Sequence, residues 1–157
     1  MELALTDEQR MIVQSAERFL AQVADSTAVR TAMASERGHD ADTWGRIARE
    51  LYWPALAIPE AYGGLGLGFV EVSLLQEQLG RRLLPSPFFA TCCLATPALL
   101  LSQNQALKER WLPLIAAGEL SASLAYTSSS RWDDGGVQVY AQSHGGGYRL
   151  NGHYLYV

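Results

Sequence analysis

The 157-residue chain carries two cysteines, and they are neighbours, Cys92 and Cys93. Adjacent residues on a helix point about 100° apart, so this pair is not expected to form a disulfide. Their apolar surroundings mark them as reduced core residues; a nucleophile would need a base and an electropositive setting. Histidine is scarce as well: His39, His144 and His153 are scattered, each near glycine or a turn. Zinc-ligand spacing is absent, so the histidines are expected in solvent and no metal site is expected. There is no run of Lys or Arg, and a net charge of -4 with a pI near 5.3 argues against nucleic acid as a main ligand. No apolar run approaches the roughly 20 residues of a membrane helix. The start, Met1-Glu2-Leu3-Ala4-Leu5-Thr6-Asp7, has neither the basic region nor the apolar run of a signal peptide. No membrane span and a cytoplasmic location are the expectation. Charged residues make up 18% of the chain against 48% hydrophobic, which leaves an apolar surface and favours an oligomer.

What is present is helical punctuation in the first three quarters. Thr6-Asp7-Glu8-Gln9 has the spacing of a capping box, and Ile12, Ala16, Phe19, Leu20 and Val23 follow on one face to about Asp25. A thinner helix is expected over 26–35. Asp42 is expected to cap a third helix carrying Trp44, Ile47, Ala48 and Leu51, with Pro54 as its stop. From Phe69, apolar residues wrap more than half of a helix, as suits an element buried between neighbours. Ser86 and Pro87 read as cap and first residue of an apolar helix over 86–101, which Pro97 should kink or restart. A further helix is expected over 106–117, broken by Gly118.

Beyond Gly118 the pattern alternates, and strands are expected over 121–127, 137–142, 148–150 and 154–157. Glycine-rich turns separate them, and Asn151-Gly152 is the strongest hairpin signal. The expected fold class is α+β: an amino-terminal helical bundle, 1–119, followed by the beginning of an antiparallel β domain, 120–157, incomplete at its carboxyl end. About 37 residues are too few for an independent barrel or sandwich, and open strand edges invite pairing.

The densest local signal is Ile58-Pro59-Glu60-Ala61-Tyr62-Gly63-Gly64-Leu65-Gly66-Leu67. Three glycines in four positions allow positive φ and a close backbone approach between two helical patterns. No strand precedes the loop and it lacks the GxGxxG register, so a dinucleotide-binding turn and a phosphate loop are both unsupported. A packing connector and a binding role remain open from the loop alone.

Joined to Glu71-Val72-Ser73-Leu74-Leu75-Gln76-Glu77-Gln78-Leu79-Gly80-Arg81, the loop resembles the amino-terminal domain of the acyl-CoA dehydrogenase family, where a glycine loop leads into a helix ending in Glu-x-Leu-Gly. Gln78 stands where that family commonly has Glu or a similar polar residue. Gln105-Ala106-Leu107-Lys108-Glu109-Arg110-Trp111-Leu112-Pro113-Leu114-Ile115-Ala116-Ala117-Gly118-Glu119 is similar to the family segment that joins the helical and middle domains. Tyr148-Arg149-Leu150-Asn151-Gly152-His153 is similar to the hairpin before its tryptophan-containing flavin segment.

The resemblance implies FAD as cofactor, an acyl-CoA substrate, electron-transfer flavoprotein as electron acceptor, and a homo- or hetero-oligomer. It implies α,β-desaturation of a thioester, with the proton-removing glutamate supplied by a third domain that this chain does not contain; no residue here is a catalytic candidate. The family's flavin-contacting segment corresponds to Leu124-Ala125-Tyr126-Thr127-Ser128-Ser129-Ser130-Arg131-Trp132-Asp133-Asp134, which makes Leu124, Tyr126 and Thr127 the cofactor-binding candidates. In that segment the family's Gly and Ser are Trp132 and Asp133, bulky and acidic. The helix over 86–101 corresponds to one lining the acyl pocket, so Phe89, Ala90 and Cys93 are the substrate candidates, with plain core packing as the other reading. Besides a flavoprotein subunit or its amino-terminal portion, a non-catalytic partner subunit of a heteromeric dehydrogenase and an inactive truncated fragment remain open.

Overall fold

The computed structural model describes residues 4–157. Met1, Glu2 and Leu3, the start of the segment used above to argue against a signal peptide, lie outside the described residues. The chain is mostly helical with one small antiparallel sheet, the α+β class expected. It divides into two compact units, one ending at Ala122 and the other Ser123–Val157.

In the first unit, α1 (Asp7–Val23) begins at the capping box: the Gln9 amide donates to Thr6 Oγ1 at 3.2 Å and the Thr6 amide to Gln9 Oε1 at 3.0 Å. Helix α2 (Ser26–Ala34) is capped by Asp25. Helix α3 (Ala41–Leu51) is capped by Asp40 rather than Asp42. The Asp40 carboxylate accepts from the Asp42 and Thr43 amides at 2.8 and 3.1 Å, while Asp42 sits in the first turn where its charge suits the helix dipole. Two single turns, Trp53–Ala55 and Glu60–Tyr62, lead through the glycine loop to α4 (Phe69–Arg82).

Helices α1 and α4 are also joined at their starts. Glu71 accepts from the Gly68 amide at 2.9 Å, closing the first turn of α4, and from Gln9 Nε2 of α1 at 2.8 Å. The Gln9 hydrogen bond is the main reason the Glu71 carboxyl titrates below its ordinary value. A carboxyl lowered in the folded state adds stability above its unfolded pKa, and that stability disappears as pH falls through the folded value. Glu71→Ala is therefore expected to cost about 1 kcal/mol at neutral pH and to lose that difference in acid, as urea melts at several pH values will record.

The main core gathers Ala16, Phe19 and Leu20 of α1, Trp44 and Ile47 of α3, Val72, Leu75 and Leu79 of α4, and Trp53, Leu56, Phe88 and Cys92. Trp53 lies edge-on to Phe19 at 6.0 Å and to Phe88 at 6.2 Å, so one indole links α1 to the segment that carries Phe88. A second cluster places Ala55 and Ile58 against Leu112, Ile115 and Ala116 of α6 (Gln105–Ala116).

The apolar helix expected over 86–101 is not a simple α-helix. Its first helical bond runs from the Thr91 amide to the Pro87 carbonyl at 2.9 Å, and it has no side-chain cap. Residues Phe89–Ala95 form a π-helix that passes into α5 (Thr96–Leu101), with Pro97 in the first turn of α5. Proline has no amide proton and its ring collides with the carbonyl four residues back in an α-helix. Widening the preceding turns relieves both problems, so Pro97 restarts the helix as its position implied.

The second unit carries β1 (Tyr140–His144) and β2 (Gly147–Asn151), paired from Tyr140↔Asn151 to His144↔Gly147. The hairpin turn is Gly145-Gly146 rather than Asn151-Gly152. Both turn glycines have positive φ, 58° and 80°, which a two-residue turn of the favoured twist requires at both positions. The strand expected over 137–142 begins later and runs to His144, and the one over 148–150 is the middle of β2. The strands expected over 121–127 and 154–157 reduce to a single bridge, Thr127↔Leu155. Alternation in those segments has no ladder partner within the unit, and both hairpin strands are exposed along their length.

Candidate functional site

The glycine loop is built to lie on its own chain. Its amides at Leu65, Gly66 and Leu67 donate to the carbonyls of Ala55, Ile58 and Leu56 at 2.9, 2.9 and 2.8 Å. Gly63 and Gly66 adopt positive φ, and a side chain at Gly64 would run into the Ile58 carbonyl and lie 2.6 Å from the Ile58 Cβ. The close approach is made to residues 55–58, and the loop is a packing connector here. Tyr62 extends it towards α6, with its hydroxyl 3.0 Å from Gln105 Nε2.

The three substrate candidates lie on the π-helix but do not converge. Phe89 is exposed, and Ala90 and Cys93 are half-buried. Phe89 lines a cavity of about 220 Å³ together with Gln76, Leu79, Leu83, Leu84 and Ser86; Ala90 and Cys93 are not in its wall. Gln76 Oε1 is buried beside this cavity without a hydrogen-bond partner among the described residues. A buried amide oxygen in that state favours a ligand or water that donates to it. Sequence reading missed Gln76, whose only sign is a polar residue within the apolar wrap of α4. Thr91, fully buried, pins the π-helix to the end of the unit: its hydroxyl donates to the Ala122 carbonyl at 3.0 Å and lies 3.1 Å from the Ala122 amide. Burial pushes the Cys92 thiol far above its ordinary value, helped by Cys93 alongside, and burial raises Cys93 too. Neither is poised as a thiolate, and both are free thiols.

Among the cofactor candidates, Leu124 is exposed, Tyr126 half-buried and Thr127 fully buried. The Thr127 hydroxyl lies 2.7 Å from the Arg131 carbonyl, 3.0 Å from that of Ser129 and 3.3 Å from that of Gly136, and accepts from the Ser129 amide at 3.2 Å. The Thr127 carbonyl accepts from the Leu155 amide at 2.8 Å. Tyr126 is stacked on Trp132. A flavin pyrimidine needs donors and acceptors that are free to face it. The Thr127 hydroxyl and carbonyl already have partners inside the unit, so Thr127 does not present them to a flavin.

His144 and His153 are exposed; His39 is half-buried, with Nδ1 3.0 Å from the Arg37 carbonyl, a correction to its expected solvent position. Among the described residues no group of three or more His, Cys, Asp or Glu is arranged to hold a metal, and no helix is long and apolar enough to cross a membrane.

Comparison with known proteins gives this geometry its setting. The family described as "Acyl-CoA dehydrogenase, N-terminal domain" matches residues 6–119. The acyl-CoA dehydrogenase IpdE2 of Mycobacterium tuberculosis is 38% identical over 94 residues, covering 60% of this chain and 29% of that protein. Among solved structures, the Tcur3481-Tcur3483 steroid ACAD superposes with a TM-score of 0.84 at 25% identity, covering 95% of this chain and 40% of that one. The FAD complex of PigA gives 0.76 at 27%, covering 97% and 40%. The chain thus spans between a quarter and a half of the length of these relatives. With the helical bundle, its glycine connector and the junction at Gly118 all inside or at the edge of the matched span, the chain belongs to the acyl-CoA dehydrogenase family.

Proposed function

We propose that this chain contributes the acyl-side helical domain and the opening of the middle domain to FAD-dependent α,β-desaturation of an acyl-CoA thioester, with electrons passing to an electron-transfer flavoprotein. The observation that carries this reading is the cavity between the end of α4 and the π-helix, inside the span that matches the family. Its wall is mainly apolar, with Phe89 at the rim and the unpartnered Gln76 oxygen beside it. That is the composition expected of a site for an acyl chain bearing one polar group.

No carboxylate lines the cavity. Proton removal next to a thioester needs a positioned base, so the chain alone is expected to give no turnover of an acyl-CoA with an artificial electron acceptor. Binding is the separate test. Phe89→Ala is expected to weaken a saturated acyl-CoA about tenfold by calorimetry while leaving the melting temperature within a few degrees, because the ring is largely exposed in the free protein. Undiminished affinity in that variant would remove the cavity from the acyl site.

A partner-subunit reading is supported by Thr127, whose hydroxyl and carbonyl are engaged within its own unit. On that reading the chain supplies surface and part of an acyl site to an oligomer in which another subunit carries the flavin. Flavin absorbance measured on the chain alone, and again with a flavin-bearing subunit, separates the two.

A further inference from the structure

We infer that residues 127–136 form a self-closed cap that excludes flavin from this chain, with Thr127 as its internal anchor. The inference deepens the partner-subunit reading and rests on FAD serving the reaction.

Closure begins with hydrogen bonds. The Ser128 amide donates to the Gly136 carbonyl at 2.9 Å, the Gly136 amide to Asp133 at 2.9 Å and the Val137 amide to Asp134 at 3.1 Å. The Arg131 amide donates to Ser129 Oγ at 3.2 Å and the Gly135 amide to Asp134 Oδ1 at 3.0 Å. At the centre is the Thr127 hydroxyl, 1% exposed, surrounded by three carbonyls of the same loop. Gly136 permits this approach: a Cβ there would lie 2.7 Å from Thr127 Oγ1 and would overlap the Arg131 carbonyl. The Thr127 hydroxyl, which a flavin pyrimidine would draw on, is therefore already engaged within the loop.

The aromatic side chains add bulk outside this loop. Trp132 stacks with Tyr126, with ring centroids 6.4 Å apart and planes 14° apart, and with Tyr156, at 5.7 Å and 25°. The indole stays 66% exposed and adds bulk at the surface of the loop, where the related flavin segment has glycine. Charge acts in the same direction. Arg131 is held by Asp133 at 2.6 Å, which leaves Asp134 uncompensated and the loop net negative against a dinucleotide's pyrophosphate.

Amide hydrogen exchange and chemical shifts, read residue by residue by NMR on the chain with and without saturating FAD, test the inference. The expected result is slow exchange at Ser128, Ser129, Arg131 and Gly136, no FAD-dependent shift in 124–136, and at least about tenfold faster exchange at Ser129 in Thr127→Val. Saturable FAD shifts within 124–136 of the wild-type chain, or fast exchange at those four amides, would overturn it. Should Thr127→Val unfold the second unit, the wild-type measurements still decide. An acyl-CoA titration in the same experiment reports on Phe89 in the first unit, so the acyl-site reading and the flavin-excluding cap stand or fall separately.

Discussion

Gly64→Ala is expected to destabilise the helical unit by roughly 3 kcal/mol, while Gly63→Ala one position earlier costs about 1 kcal/mol. The ranking is counter-intuitive, because Gly63 is the residue at positive φ, 79°, and Gly64 is not in that region. At Gly63 an added methyl meets open space, and only the backbone conformation resists it. At Gly64 it collides with the carbonyl of Ile58, a residue with no exposed surface. Relief requires the loop to lift, and lifting breaks the bonds from Leu65, Gly66 and Leu67 to residues 55–58. Those residues join both hydrophobic clusters, so the loss spreads to α6 through Ile58 and Leu112. Chemical denaturation of the two variants gives the comparison, and equal costs would mean that the close approach is absent.

Phe88→Ala should have a comparable effect on stability, about 3–5 kcal/mol, and a larger one on ligand binding. Phe88 is completely buried, and its ring meets the edge of Trp53, which in turn meets Phe19. Truncation opens a cavity under the first turn of the π-helix, where Phe89 follows directly. The helix is held at two further points, Cys92 in the main core and Thr91 at Ala122, so it should stay attached while its start loosens. The expected result is a strongly lowered urea midpoint together with acyl-CoA affinity reduced beyond that of Phe89→Ala. Preserved affinity in a folded Phe88→Ala protein would show that the rim of the cavity does not depend on this anchor.

Much of this was legible in the chain because it depends on groups within four residues of one another. The Thr6 and Gln9 capping box, the face of α1 from Ile12 to Val23 and the start of α4 at Phe69 need only local spacing. The same holds for the restart at Pro97, which follows from a missing amide proton. Local signals also misdirected where two of them competed. Asp40 and Asp42 both suit a cap, and the choice fell to the one whose carboxylate reaches two free amides. Asn151-Gly152 and Gly145-Gly146 both suit a turn, and the second places positive φ at both central residues between strands that can pair.

By itself, then, the sequence determined an α+β chain with a helical bundle and a glycine loop, because periodicity and caps are local properties, and its ordered motifs carried the resemblance to one enzyme family. Tertiary structure alone decided that the glycine loop folds onto Ile58, that Phe89 shares a cavity wall with Gln76 while Ala90 and Cys93 lie elsewhere, and that Thr127 faces inward. Each of these depends on which distant or sterically competing groups share a small volume, and spacing along the chain carries no measure of that volume.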